Sequence, residues 1–308
     1  MTKTNSKPSL ESTLKSLDTE EPIDIYFYRP IGYRWALLFQ KLGVSPNAVT
    51  VASIFIGIAA GICYYFNDLT INIIGMLLLI WANSYDSADG QLARMTGQKS
   101  QLGRILDGAC GDVWFITIYA AICLRLTSEW AIWIWLLAAT TGYFHSKQAS
   151  MADYYRNIHL LFLKGKSGSE LSYSPTLKEN FKNLSWKKDF IYKLFEWFYL
   201  NYTIGQEALS PKFQKMMGII REKYNGEAPE WFRTEFRQKS LPLMKYTNML
   251  SFNTRIIALF ISLIINEPWL YFAFEMTVLN VMLIYMIRKH ERICKEFIPK
   301  LENTKQDV

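Results

Sequence analysis

The chain has 308 residues, of which 50% are hydrophobic and 15% aromatic, and its formal net charge is +7. Mean hydropathy near zero here averages long apolar segments with strongly charged stretches, which excludes an ordinary soluble domain and marks an integral membrane protein. The charge does not call for nucleic acid, because the basic residues lie on alternate sides of the apolar segments, where they also attract anionic headgroups.

Residues 1–24 form a polar tail with no apolar h-region, so no cleaved signal peptide is expected. Six membrane spans follow, near 48–66, 71–88, 106–124, 130–149, 250–266 and 268–287. Arg29, Arg34 and Lys41 precede the first span, and Arg94 follows the second. Arg288, Lys289, Arg292 and Lys295 follow the last. The opposite loops offer only Arg125 as a base, against Asp68, Glu129 and Glu267. Both termini and the acidic motif are therefore expected on the cytoplasmic side. The fold class is all-α, a six-transmembrane-helix bundle with cytoplasmic interfacial helices.

Residues 25–156 read as the catalytic membrane core and 157–249 as a cytoplasmic or interfacial insert. The last two spans occupy 250–287, and 288–308 is a cytoplasmic tail. The insert is longer than ordinary connections and mixes aromatics with lysines, as in Trp186-Lys187-Lys188 and Lys193-Leu194-Phe195-Glu196-Trp197. Such a helix suits the membrane interface. The alternative, a seventh span at 189–204, is disfavoured by its length and charges. Cys63, Cys110, Cys123 and Cys294 make neither a disulfide framework nor a zinc site by spacing.

The informative stretch is DSADGQLARMTGQKSQLGRILDGACGD, from Asp86 to Asp112. Carboxylates near bilayer depth are costly, so a cluster of them marks a functional site. On one helix, Asp86, Asp89, Gly90, Ala93 and Arg94 share a face. Two carboxylates three residues apart can share a hard divalent cation. Gly90 and Ala93 remove bulk from that face, and Arg94 offers a guanidinium to phosphate. Gly103 leaves room before the next helix, from which Asp107 supplies a third carboxylate. Helix caps and surface ion pairs would account for one such acid, not for this arrangement. The layout fits a metal-bridged diphosphate.

At seven fixed positions, Asp86, Asp89, Gly90, Ala93, Arg94, Gly103 and Asp107, this stretch resembles the signature of the CDP-alcohol phosphotransferases. Ser45-Pro46-Asn47-Ala48-Val49-Thr50 is similar to a second family motif, and the resemblance covers about the first 155 residues. It implies a CDP-linked donor, an alcohol acceptor and release of CMP. It implies two magnesium or manganese ions on the aspartates, with the fourth aspartate also deprotonating the acceptor. Gly90, Ala93, Arg94 and Gly103, with Asn47, would line the nucleotide pocket. Here the fourth aspartate departs from the pattern: position 111 is glycine and Asp112 comes next. On an ideal helix position 111 lies about 40° from Asp107, and Asp112 about 140° away. A π-bulge would bring Asp112 back, and Gly108 and Gly111 give that turn freedom. Asp112 is thus expected as fourth ligand and base, with His145 as an alternative.

Lys147, Arg156 and Arg255 are candidates for binding an anionic acceptor, or else headgroup anchors. Asn83 could orient Asp86. Glu275, inside the last span, suggests an interhelical or dimer contact, and a homodimer is expected. The preferred reaction uses CDP-diacylglycerol and a small polar alcohol such as inositol or inositol phosphate. The alternatives are CDP-choline or CDP-ethanolamine transfer to diacylglycerol or ceramide, and a non-enzymatic nucleotide-binding membrane adaptor.

Overall fold

A computed structural model describes residues 16–98 and 101–304. Residues 1–15 of the expected tail, and the end of the chain beyond 304, lie outside the described residues. Among the described residues there are helices and no strands. Five stretches are long and apolar enough to cross a membrane: Pro46–Cys63, Leu69–Thr96, Leu106–Trp130, Glu230–Ile264 and Trp269–Asn303. The segment expected as the fourth span lies in a 33-residue helix, Ile132–Lys164. It stays outside that group because Thr140, Thr141, His145, Lys147 and Gln148 dilute its apolar run. The chain is a multi-pass, all-helical membrane protein.

Two compact units divide the chain. The first runs to Tyr143 and takes in Arg255–Met276; the second comprises Phe144–Thr254 and the chain from Thr277. The first begins with a π turn, Asp24–Tyr28, leading into α1, Arg29–Leu42. Gly43 ends α1 at φ 69, the left-handed conformation that glycine adopts without a Cβ penalty. Next come α2, Pro46–Cys63, α3, Leu69–Thr96, and α4, Gln101–Trp130. Ser45 and Asp68 cap α2 and α3 by accepting from the amides of Ala48 at 3.3 Å and Ile71 at 2.9 Å.

Close helix approach explains the small residues of α2. Ser53, Gly57 and Gly61 recur every four residues and so share one face. A Cβ on Gly57 would lie 2.1 Å from the Trp114 ring, and one on Gly61 2.8 Å from Thr117. Trp114 Nε1 donates to Ser53 O at 3.1 Å, tying α2 to α4. On α3, Gly75 receives Cys63, Tyr64 and the Ala60 carbonyl. With little hydrophobic drive between helices in lipid, such close packing and interhelical bonds hold the bundle. α1 crosses α3 through Trp35, Phe39 and Tyr85, with ring centroids 5.0–5.8 Å apart, and Gly32 lets the backbones approach at Ser87 and Ala88.

Further along the chain, α5 is Ile132–Lys164. The helices α6, Ser174–Asn183, α7, Phe190–Ala208, α8, Pro211–Lys223, and α9, Glu230–Met249, fill the insert. α10, Phe252–Ile264, and α11, Trp269–Phe274, are followed by a π turn, Glu275–Leu279, and α12, Asn280–Asn303. The segment read as a tail after 287 is thus the continuation of α12. Its Ile293, Cys294, Phe297, Ile298 and Leu301 are buried, and α8 and α9 pack on it. Glu291 accepts the Lys212 amide at 2.7 Å and the Phe213 amide at 3.3 Å, satisfying the start of α8.

One buried ion pair anchors the first unit. Arg255 Nη1 lies 2.9 Å from Glu275 Oε1, with 1% and 0% side-chain exposure. Tyr119 donates to Glu275 Oε2 at 2.7 Å, and Tyr271 donates to Oε1. Glu275 is thereby neutralised within the chain, which supplies the interhelical contact expected of it. Arg125, the only base of its loops, donates to Tyr64 O at 3.3 Å and Asn67 Oδ1 at 2.8 Å, and also to Asn266. Removing one member of the buried pair strands the other charge, so Arg255→Met should lower stability by about 3–5 kcal/mol. Arg255→Met with Glu275→Leu should lose less than the single change. Unfolding in detergent measures both, and a single variant as stable as the wild type would refute the account.

Candidate active site

The acidic motif folds as its spacing requires. Asp86 and Asp89 stand one turn apart on α3, and Asp107 faces them from the first turns of α4. A carboxylate oxygen from each lies within 4.8 Å of the others. Asp86 is half-buried, Asp89 buried and Asp107 exposed, so the group opens on the Asp107 side. Three like charges this close repel one another strongly. An all-oxygen donor set of this size fits a hard divalent cation such as magnesium or manganese.

Neighbouring helices orient the carboxylates. Thr50, in the first turns of α2, donates its hydroxyl to Asp89 Oδ2 and lies 3.2 Å from Pro46 O. Cys110, one turn beyond Asp107, meets Asp86 and sits 3.2 Å from the Ser53 hydroxyl. Asn83 reaches the phenol of Tyr28. Burial raises the Tyr28 phenol above its ordinary pKa, partly offset by Asn83, so the ring stays neutral.

Gly90 has a particular use. A Cβ there would lie 3.3 Å from Nη1 of Arg94, so the guanidinium lies across the glycine. Nε and Nη2 of Arg94 are buried and find no hydrogen-bond partner among the described residues. Buried donors are normally satisfied, and a guanidinium beside a metal-sized carboxylate group is suited to phosphate oxygens. Asn47 and Ala93 are half-buried on the same two helices, and Gly103 is half-buried near the start of α4.

α4 is α-helical throughout Gln101–Trp130, with no π turn near Gly111. The bulge expected to turn Asp112 toward Asp107 is therefore not a feature of this helix. Asp112 is exposed and stands outside the group of three. A Cβ at either Gly108 or Gly111 would meet no heavy atom within 4 Å, so this turn borders open space.

The cationic candidates are distributed between the two units. Arg255 belongs to the first and is committed to Glu275, so it presents no open cation. Lys147 and Arg156 belong to the second. Lys147 Nζ lies over Gly205, 3.2 Å from where a Cβ would stand. Arg156 donates to Asn248 Oδ1 at 3.2 Å and to Ser251 Oγ at 3.5 Å. His145 is half-buried, while buried His159 bonds Ser240 at 2.7 Å. Sequence reasoning missed a second candidate ligand group, His290, Glu291 and Cys294, also within 4.8 Å of one another. Their positions at i, i+1 and i+4 on one helix were the available signal.

Residues 43–152 match the family model described as CDP-alcohol phosphatidyltransferase. The chain therefore carries a CDP-alcohol phosphatidyltransferase domain, which bears out the resemblance of the acidic motif. That domain is a transferase's, acting between a CDP-alcohol and an acceptor in phospholipid synthesis. No curated protein matches the chain.

Thr50 is the nearest neighbour whose removal probes the carboxylates without touching a charge. Thr50→Val should leave Asp89 short of its donor and weaken divalent-ion affinity about 10- to 100-fold. Titrating the metal dependence of CMP release measures this. An unchanged half-saturating concentration would dismiss the orienting role.

Proposed function

We propose that the protein transfers a phosphatidyl group from CDP-diacylglycerol to a small polar alcohol, inositol phosphate or inositol, and releases CMP. The observation that carries this is the three-carboxylate group set beside Arg94, whose buried nitrogens await an anion. Asp86, Asp89 and Asp107, joined by Asp112, would hold two divalent cations. When bound, these ions neutralise diphosphate charge and stabilise the departing CMP.

Arg94 binds the diphosphate, with Gly90 giving its guanidinium room. Asn47, Ala93 and Gly103 line the nucleotide end. Asp112 takes the acceptor's hydroxyl proton, that oxygen forms a bond to the phosphorus bearing the lipid, and the bond from that phosphorus to the CMP oxygen breaks. Asp112 reaches the acceptor by a one-residue shift of the Gly108–Gly111 turn, for which there is open space at both glycines. Arg255 is left to its pair with Glu275.

The bundle in this reading has six spans, the sixth being the apolar half of α5. Both termini and the site face the cytoplasm, as the distribution of Lys and Arg favours, and the protein works as a homodimer. The exposed Phe190, Ile191, Trp197 and Phe198 of α7 suit an interfacial helix.

Incubation of purified protein with CDP-diacylglycerol, magnesium and inositol phosphate should release CMP, and Asp89→Asn should abolish that release. CMP arising instead only from CDP-choline or CDP-ethanolamine with a lipid alcohol would reverse the roles of donor and acceptor. Asp112→Asn should slow turnover about 10²- to 10⁴-fold. Adding Gly111→Asp to that variant should restore part of the rate. An Asp112→Asn enzyme of normal rate would remove Asp112 as the base.

A further inference from the structure

Ahead of the first span, Glu20 and Arg29 meet in a bidentate pair that the proposed chemistry does not use. Arg29 Nε donates to Oε2 and Nη2 to Oε1, both at 3.1 Å. The Glu20 side chain is only 5% exposed and that of Arg29 19%. A turn presents Glu20, with the Thr19 and Glu20 amides both donating to Ser16 O at 3.2 Å.

Arg29 is held against the motif through its backbone. Gln91, between Asp89 and Arg94, donates from Nε2 to Arg29 O at 3.1 Å. One turn along α1, Gly32 packs so closely that a Cβ would lie 2.9 Å from Ser87 Oγ and 3.1 Å from the Ala88 amide nitrogen. Arg29 is within electrostatic reach of both Asp86 and Arg94, and Glu20 of Arg94. Two guanidiniums within electrostatic reach of one another repel, and a nearby anion offsets that repulsion.

A carboxylate and a phosphate engage a guanidinium through the same pair of parallel hydrogen bonds. Glu20 therefore sits where two phosphate oxygens would fit. We propose that Arg29 is a second phosphate ligand of the donor diphosphate, and that Glu20 fills its guanidinium until the diphosphate displaces it. This rests on the reading of the site as one for a CDP-linked donor. The segment Ser16–Glu20 then acts as a strap over the unliganded arginines, and donor binding exchanges one anion for another. A purely structural pair would instead need both partners for the fold and be indifferent to nucleotide.

CDP, with magnesium present, is the probe, titrated calorimetrically into the full chain in detergent. Thermal unfolding gives the folded fraction of each variant. Arg29→Gln should weaken CDP about ten- to hundred-fold, as expected for losing charge-assisted bonds. Arg29→Lys should fall between it and the wild type, and Glu20→Gln should bind CDP several-fold more tightly. Cytidine, which has no phosphate, should not discriminate among them. If Glu20→Gln and Arg29→Gln both bind CDP as the wild type does, while Asp89→Asn does not, Arg29 is no ligand and the reading of the site survives. Equal weakening by Glu20→Gln and Arg29→Gln would likewise overturn the exchange, as a structural pair. A wild type that binds no CDP with magnesium would bring down the site reading itself.

Discussion

Three carboxylates drawn within 4.8 Å of one another beside an apolar bundle set the terms for the first unit. Such charges are stable together only if a cation sits among them or protons neutralise them. Bringing them together also requires α2, α3 and α4 to approach closely where Thr50, Asp89 and Asp107 meet. The small faces of α2 and α3 make this possible. Trp114 fills the groove over Gly57, and Tyr64 lies at Gly75. Bulk at either place would move the helices apart and spread the acids. Packing remote from the chemistry therefore fixes the geometry on which the chemistry depends.

The same unit holds a second buried acid, and the contrast assigns roles. Glu275 is surrounded by donors: Arg255 pairs with it, and the hydroxyls of Tyr119 and Tyr271 complete its bonding. It is closed and internally neutral, as a structural charge in a membrane protein should be. The aspartate group has an exposed member, and the nearby Arg94 has buried nitrogens with no partner among the described residues. Satisfied networks rigidify a core, whereas unsatisfied ones are costly unless something binds there. The difference in saturation, more than the number of acids, separates a tie between helices from a site.

Much of this was legible in the sequence because helix geometry converts spacing into direction. Asp86, Asp89, Gly90, Ala93 and Arg94 are fixed on one face by 3.6 residues per turn, and the reading of that face needed no tertiary information. What the sequence did not disclose depends on partners far away in the chain. Arg255 reads as an open headgroup or acceptor cation until Glu275 is seen 2.9 Å from it. The segment after 287 reads as a charged tail because Arg288, Lys289, Arg292 and Lys295 dominate its composition. Its buried face, Ile293, Phe297 and Leu301, recurs every four residues, and it becomes decisive only when α8 and α9 cover it. The Glu20–Arg29 pair is hidden for the same reason: in sequence Arg29 is one more positive-inside base, and only the Gln91 contact brings it to the motif.

The turn from Asp107 to Asp112 carries a one-residue offset that leaves Asp112 outside the group of three acids. On straight α4, Asp107 and Cys110 share the face turned toward α2 and α3, and Cys110 occupies the contact between Asp86 and Ser53. A carboxylate at position 111 would stand beside Asp107, where Gly111 now borders open space. Placing Asp112 there instead asks the backbone to take up one residue between two fixed points. The two glycines make that inexpensive: neither has a side chain to displace, and a π turn removes no more than local helix regularity. A bound cation would supply the attraction, since a fourth carboxylate gains most when it completes a ligand shell. In this account the offset couples the approach of the base to the loading of the site. Under the proposed mechanism, Asp112 would stay away from the other three acids until a bound cation made its approach favourable.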